Sequence, residues 1–500
     1  MEIEKQIAND VSVLRRSFKA GKTKPLSARR ASLEAMRRMI SENKSLLCSA
    51  LWEDLHKSSA EAIFSEIALV EMEIQEHLDH FEDWAAPQKV SHDLMNIPGS
   101  SAIHSDPLGV CCIFGPWNYP IGLTLKPMVG CLSAGNTCLL RLPDPACSSE
   151  CSKVLAQLVR QYMDDDIVRV VEGGIPETEA VLKERFDKIF FTGGSFVGKI
   201  VARAAAEYLC PVVLELGGKT PAIVDSSINV KVAAKRITWG AMLNAGQTCI
   251  RPDYLLVHAS VADQFIEAVK EAIDTMYGKG HRAILKSPEY GRVINARACQ
   301  RLVKKIEDGR EFIVKGGHCE VDECFIEPTV MDFGTDMDAF EVSKVMAEEI
   351  FGPILPIIRY ESLDRCLEFI RERPKPLMLY LFTKNRSLRD RVVGETTSGM
   401  VTVNDCMIHM TNSTLPFGGV GPSGTGQYGG KSSFDVFSHK KSVMYKTFRL
   451  DIPQRYPPYS EFDKKFLRVA LYPRSRRLIL LLKAFLGAIA LMIALNLLSP

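Results

Sequence analysis

The sequence has no C-x-x-C pair, although it holds 14 cysteines in 500 residues, two of them adjacent (Cys111 and Cys112). Zinc ribbons and thioredoxin-like motifs need such close pairs, and a disulfide scaffold needs a far shorter chain. Scattered thiols in a chain this long point to a reduced, cytosolic setting. Charge of one sign is also lacking. With 62 basic against 60 acidic residues the net charge is +2, too small to hold a polyanion, and nucleic acid is not expected as a partner. There is no internal repeat and no low-complexity tract. The opening Met1-Glu2-Ile3-Glu4-Lys5 has no apolar stretch behind a basic patch, so no signal peptide is expected. What is present is an ordinary globular composition, 46% hydrophobic and 24% charged, in a chain too long for one core. Two or more domains are expected.

The far end differs. Leu478 to Leu498 is apolar except for Lys483 and Asn496, and is about long enough to span a bilayer core as a helix. Arg474, Arg476 and Arg477 precede it and no charged side chain follows, which keeps the body cytosolic and sends the tail across. A transmembrane tail anchor at 478–498 is expected, joined through a proline-bearing linker at 451–477.

Periodicity places helices in the first eighty-odd residues. Ser27 caps one carrying Leu33, Met36, Ile40 and Leu47, and a second runs from Ala62 to Leu78, with His77 and His80 on its solvated face. From Val110–Phe114 onward short apolar runs alternate with helical segments: Thr137–Arg141, Val168–Val171, Lys188–Phe191, Val212–Glu215, Pro221–Val224 and Tyr254–Val257 read as strands. This rhythm implies parallel sheets with helices on their faces.

Three short stretches carry candidate chemistry. Asn244-Ala245-Gly246-Gln247-Thr248-Cys249 presents a thiol, nucleophilic as its thiolate, beside small residues that allow close backbone approach. Alone it weighs little, because free cysteines are usually core packing. Glu215 ends a strand before Gly217 and Gly218, where a carboxylate serves either as a base or as a backbone partner. Asn118, between Pro116 and Pro120, either donates to an oxygen gaining charge or bonds its own turn. The turn Gly193-Gly194-Ser195-Phe196-Val197-Gly198 joins a strand to a helix, where a phosphate can be received, but its spacing is not G-x-G-x-x-G. Arg141 and Asp144 follow a strand end and can reach a ribose or phosphate. Glu349 and Phe351, on extended backbone, would share one face.

In their order along the chain, and in the separation of Glu215 from Cys249, these motifs resemble those of the aldehyde dehydrogenase superfamily. Tyr119, the segment Pro416–Gly421 and the tail make the chain similar to the class 3, membrane-anchored fatty aldehyde branch. The resemblance implies an α/β fold with a Rossmann-type NAD(P)-binding domain (1–85 and 107–211) and an α/β catalytic domain (212–415). It further implies a small oligomerisation arm and closing segment (86–106 and 416–450), the linker 451–477 and the transmembrane helix 478–498. Cys249 would attack an aliphatic aldehyde of medium or long chain, Asn118 would hold the oxyanion, and Glu215 would activate the water that releases the acid. Trp117, Arg141, Asp144, the turn 193–198, Glu349 and Phe351 would hold NAD, with NADP as the variant. A homodimer on the endoplasmic reticulum membrane is implied, with the aldehyde as substrate. A silent scaffold on the same fold and an enzyme passing the acyl group to coenzyme A are the alternatives. Arg141 stands where the family commonly has lysine, Asp144 where it has glutamate, and Gly429 where the branch often has histidine beside Tyr428. Arg251 is expected to act on the local field or the substrate entrance. Lys126, one place from a lysine position used by some branches, is left unassigned.

Overall fold

The apolar runs that alternate with helices fold into two nearly all-parallel sheets, most of whose strands are buried, as runs without polar alternation require. The computed structural model describes residues 2–91, 96, 98–448 and 451–471, together with 480, 484 and 487. The first sheet runs, edge to edge, Gly424–Thr425, Val212–Glu215, Lys188–Thr192, Val110–Phe114, Thr137–Arg141 and Val168–Val171, and only the first of these is antiparallel. In chain order its parallel strands lie 3-2-1-4-5, the Rossmann order. The order reverses between Val110–Phe114 and Lys188–Thr192, so a crevice opens beyond their carboxyl ends, where such sheets take ligands.

The second sheet holds Ile313–Lys315, Thr329–Asp332, Ile354–Tyr360, Tyr254–His258, Pro221–Val224, Met378–Phe382 and Met400–Val403, parallel except for Ile313–Lys315. Its two faces are covered by separate clusters, one including Phe265, Tyr290 and Tyr380, the other Leu302, Phe340 and Phe369. Val212–Glu215, just past the expected boundary at 211/212, hydrogen-bonds to Lys188–Thr192 and so belongs to the first sheet, as does Gly424–Thr425 from the expected closing segment. The chain divides into two compact units, Met1–Trp84 with Pro107–Ser438 and Ala85–Asp106 with His439–Pro500. The smaller contains a three-stranded sheet of Gln88–Val90, Gly99–Pro107 and Ser438–Lys446.

Several local expectations need correction. The helix expected from Ser27 to Leu47 is two, Leu26–Glu42 and Lys44–Leu55. Asn43 breaks it with φ −121°, and its side-chain amide donates to the Met39 carbonyl, satisfying an end that the apolar pattern alone does not reveal. Pro25, not Ser27, stands at the first helix's N-terminus. The stretch from Ala62 to Leu78 contains a π turn, Ile63–Ile67. His77 is buried rather than solvated, its Nδ1 2.7 Å from Ser133 Oγ and its Nε2 3.3 Å from Glu73 Oε1. Those partners make burial of the imidazole tolerable. The helix expected after Gly198 begins at Ser195. The anchor expected at 478–498 lies outside the described residues but for positions 480, 484 and 487. Among the described residues no helix is long and apolar enough to cross a membrane.

Candidate active site

Two cavities meet at Cys249. The larger, of about 620 Å³, lies at the strand-order reversal of the first sheet and is lined by Trp117, Asn118, Arg141, Asp144, Gly193, Gly194, Phe196, Val197, Glu215, Cys249, Glu349 and Phe351, among others. The smaller, of about 220 Å³, is lined by Tyr119, Thr248, Cys249, Phe417 and Tyr428 among mainly apolar neighbours. Asn118, Glu215 and Cys249, distant in sequence, thus share one volume. Ser195 and Gly198 lie in the first turn of the helix Ser195–Ala206, whose N-terminus follows Gly194.

The turn that carries Cys249 is held in left-handed backbone: φ is 54° at Asn244, 49° at Ala245 and 72° at Gly246. A Cβ on Gly246 would lie 2.4 Å from the Gly352 carbonyl, so glycine is required there. Gln247 secures the next step, its Nε2 donating to Asn244 O (3.0 Å) and Arg292 O (2.9 Å) while its Oε1 accepts from Ile294 N (2.8 Å). Asn118 Nδ2 donates to Gln247 O at 3.0 Å, and the Tyr119 and Thr248 hydroxyls are 2.6 Å apart. The backbone N–H groups of Cys249 and Ile250 face the sulfur.

The Asn118 turn rests on an ion pair that periodicity does not disclose. Lys57 and Glu66 are both fully buried, with Lys57 Nζ donating to Glu66 Oε1 (2.6 Å) and to Asn118 O (2.9 Å). Glu66 Oε2 accepts from Ile121 N (2.9 Å) and Gly122 N (3.0 Å), two of the donors that a helix start leaves unpaired. Asn244 Nδ2 also donates to Asn118 O, at 2.8 Å. The segment before Cys249 carries a signal for Asn244 and Gln247, two amides amid small residues. Nothing local marks Lys57 or Glu66.

Electrostatics at the junction favours neutral forms. Both carboxyl oxygens of Glu215 are buried without a partner, and burial pushes this acid well above the usual range. Burial, then the charge of Asp253, pushes Glu349 up to about 8. Burial, with Glu349 and Glu215 adding to it, raises the Cys249 thiol as well.

Some expected residues stand otherwise than the sequence suggests. Arg141 is buried and donates to Leu142 O and, at 2.9 Å each, to Gly173 O and Gly174 O; it lines the cavity while stapling the neighbouring loop. Asp144 Oδ1 accepts from Ala146 N, an Asx turn at the cavity edge. Glu349 and Phe351 do not share a face of extended backbone, since Phe351 has φ 48° ahead of the strand Ile354–Tyr360. Arg301 Nη2 donates to Ile350 O at 2.6 Å and Asp253 Oδ1 accepts from Ile350 N at 3.0 Å, so tertiary bonds fold the segment back. Phe351 packs edge-on against Trp117, ring centroids 5.5 Å apart. Arg251 lines neither cavity at Cys249; wholly buried, it donates to Ala241 O and Ile354 O and pairs with Asp253.

The larger cavity suits a dinucleotide. Gly194, at the helix N-terminus, has open space where a side chain would stand, Thr192 Oγ1 and Glu349 Oε1 are buried without partners, and Phe196 and Ile175 leave apolar surface exposed. Phosphate at the helix start, a ribose at the unpartnered oxygens and flat rings on the apolar walls match that set. A thiol, an amide donor and a desolvated carboxyl beside such a crevice define a dinucleotide-dependent oxidoreductase working at a carbonyl carbon. Comparison with known proteins narrows this. The profile of the Aldehyde dehydrogenase family matches residues 3–443. The chain is 42% identical, over 91% of its length and 98% of the relative's, to the dog protein named aldehyde dehydrogenase, dimeric NADP-preferring. It is 41% identical, over 97% of its length and 98% of the relative's, to the rat aldehyde dehydrogenase family 3 member A2. A substrate-bound AldH structure from Staphylococcus aureus superposes with TM-score 0.89 at 40% identity, covering 94% of this chain and 99% of that one. The chain belongs to the aldehyde dehydrogenase family, and is an NAD(P)-dependent enzyme acting on aldehydes.

Proposed function

We propose that the protein oxidises aliphatic aldehydes of medium and long chain to carboxylic acids, with Cys249 as nucleophile, Asn118 as oxyanion donor and Glu215 as base. The observation that carries this is Cys249 at the junction of a dinucleotide-sized cavity and a mainly apolar one, with Asn118 and Glu215 on the former's wall. The Cys249 sulfur adds to the aldehyde carbon to give a thiohemiacetal. Its oxygen receives the second Asn118 N–H, the first being held by Gln247 O, and the N–H groups that face the sulfur. Bound NAD(P) supplies the hydride acceptor that makes the thiohemiacetal a thioester. Glu215, in its ionised form, takes a proton from the water that attacks this thioester, releasing the acid and restoring the thiol. Trp117, Arg141, Asp144, the 193–198 turn, Glu349 and Phe351 are the residues proposed to hold the cofactor.

The tail run Leu478–Leu498 supports anchoring to a membrane that delivers lipid-derived aldehyde, with the endoplasmic reticulum as the proposed site. A relative named dimeric and NADP-preferring supports a homodimer and use of NADP beside NAD. Purified protein is expected to reduce cofactor with hexadecanal-like aldehydes and Cys249→Ser to lose this. No reduction of NAD or NADP over an aldehyde panel, with Cys249 intact, would refute it. Removing 474–500 should move the protein to the soluble fraction with chemistry retained; unchanged membrane sedimentation would count against the anchor.

A further inference from the structure

Of the polar side chains that line the smaller cavity and that no step above uses, Lys126, His409 and Asn412 keep donors unspent, while Glu73 brings a carboxylate to the same wall. Lys126 comes from the helix Gly122–Ser133 that follows the Asn118 turn, and is half-buried. Among the described residues its ammonium has no hydrogen bond and no ion pair within 4 Å; the Tyr428 ring centroid lies 5.8 Å away, and its charge is felt by Glu73 and His409. A cation in mainly apolar surroundings without a paired anion is costly, and such groups are ordinarily paired.

The acids nearby are already engaged. Glu73 feels the charge of Lys126, but its Oε1 accepts from Gly430 N (2.9 Å) and Ser433 Oγ (2.8 Å) and faces His77. Glu76 Oε2 accepts from Ser413 Oγ at 3.1 Å. Asn412 spends its oxygen on Thr414, through N and Oγ1, which leaves its NH₂ as the unused end. Both ring nitrogens of His409 are buried without a partner. Burial and the Lys126 charge push this imidazole down to about 4, so it is neutral and brings one N–H. Glu73 on the same wall is ionised: against its burial, His77 and Lys126 hold it down to about 2, and its Oε1 is taken up by its own donors. The spare groups are the Lys126 ammonium, the Asn412 NH₂ and His409, which brings one N–H and one acceptor nitrogen. An apolar aldehyde tail leaves all of them unanswered, whereas an anionic oxygen answers their donors with charge-assisted hydrogen bonds.

We infer that the smaller cavity takes aldehydes carrying a carboxylate on the tail, and that Lys126 selects them. This rests on the aldehyde oxidation proposed above. Oxidation then yields a dicarboxylic acid, the aldehyde carbon losing a hydride to the cofactor and gaining the water oxygen.

The test uses the full-length enzyme and three aldehydes of equal chain length ending in methyl, methyl ester or carboxylate. Wild type is expected to favour the carboxylate over the ester about tenfold in kcat/KM, the scale of one charge-assisted hydrogen bond. Lys126→Met should erase that preference through KM while leaving the methyl-ended substrate within about twofold, and Lys126→Arg should keep much of it. Parallel melting curves confirm that the variants fold, and the wild-type comparison of acid with ester needs no variant. A wild type that treats acid and ester alike, or a Lys126→Met that slows all three equally, overturns the role of Lys126 while aldehyde oxidation stands. Turnover of none of the three by wild type overturns the oxidation itself.

Discussion

Lys57→Met keeps much of the length of the side chain and deletes its charge where water does not reach. In the parent, the ammonium meets Glu66 Oε1 at 2.6 Å, Asn118 O at 2.9 Å and the Tyr119 ring at 3.9 Å. Breaking a buried pair by removing one partner costs about 3–5 kcal/mol, because the other charge stays buried. Glu66 retains its bonds from Ile121 N and Gly122 N, so the loss should fall near the lower end, about 3 kcal/mol, a large part of the roughly 5–15 kcal/mol typical of native proteins. Adding Glu66→Gln removes the stranded charge while keeping an oxygen for those N–H groups, and should return about 1–2 kcal/mol. Guanidinium titrations of parent, single and double variants, followed by circular dichroism in one buffer, measure both quantities. Asn118 O also loses one of its two donors, and kcat is expected to fall about 10- to 100-fold as the oxyanion donor drifts. A Lys57→Met protein within about 0.5 kcal/mol of parent, with unchanged kcat, would refute the idea that this pair supports the turn.

Two further outcomes follow from the geometry. Gly246→Ala places a Cβ 2.4 Å from the Gly352 carbonyl at a φ of 72°, and should cost more than about 2 kcal/mol and abolish turnover. Gly194→Ala, with open space and ordinary φ, should melt close to parent; equal melting of both variants would contradict the clash. For Glu349, raised from 4.5 to about 8, the folded chain keeps a proton that the unfolded chain releases, so stability falls as pH rises across that window. Glu349→Gln, free of cofactor, should flatten the fall in melting temperature between about pH 5 and about pH 9. Identical slopes for parent and variant would exclude a protonated Glu349.

Short-range pattern made much of this protein legible. Val110–Phe114, Thr137–Arg141, Val168–Val171, Val212–Glu215 and Pro221–Val224 begin and end where apolar runs meet turn residues, because the run and its bounding turns are local signals even though each strand's pairing partners lie far along the chain. The side-chain types of Cys249, Glu215 and Asn118 marked them as candidates for nucleophile, base and donor, while each kept a structural alternative until the motifs were taken together in their order along the chain. Tertiary structure alone decided which charges are buried. Lys, Glu, Arg and His side chains are ordinarily solvated, yet Lys57, Glu66, Arg251 and His77 are each enclosed because a distant element supplies a partner: the Asn118 carbonyl, the Ile121 and Gly122 amides, the Ile354 carbonyl, the Ser133 hydroxyl. It also turned Phe351 off the strand, through bonds from Arg301 and to Asp253 on the flanking backbone. Desolvating a charge costs more than local preference can offset, so burial is settled by pairing across the fold, and periodicity carries no trace of that.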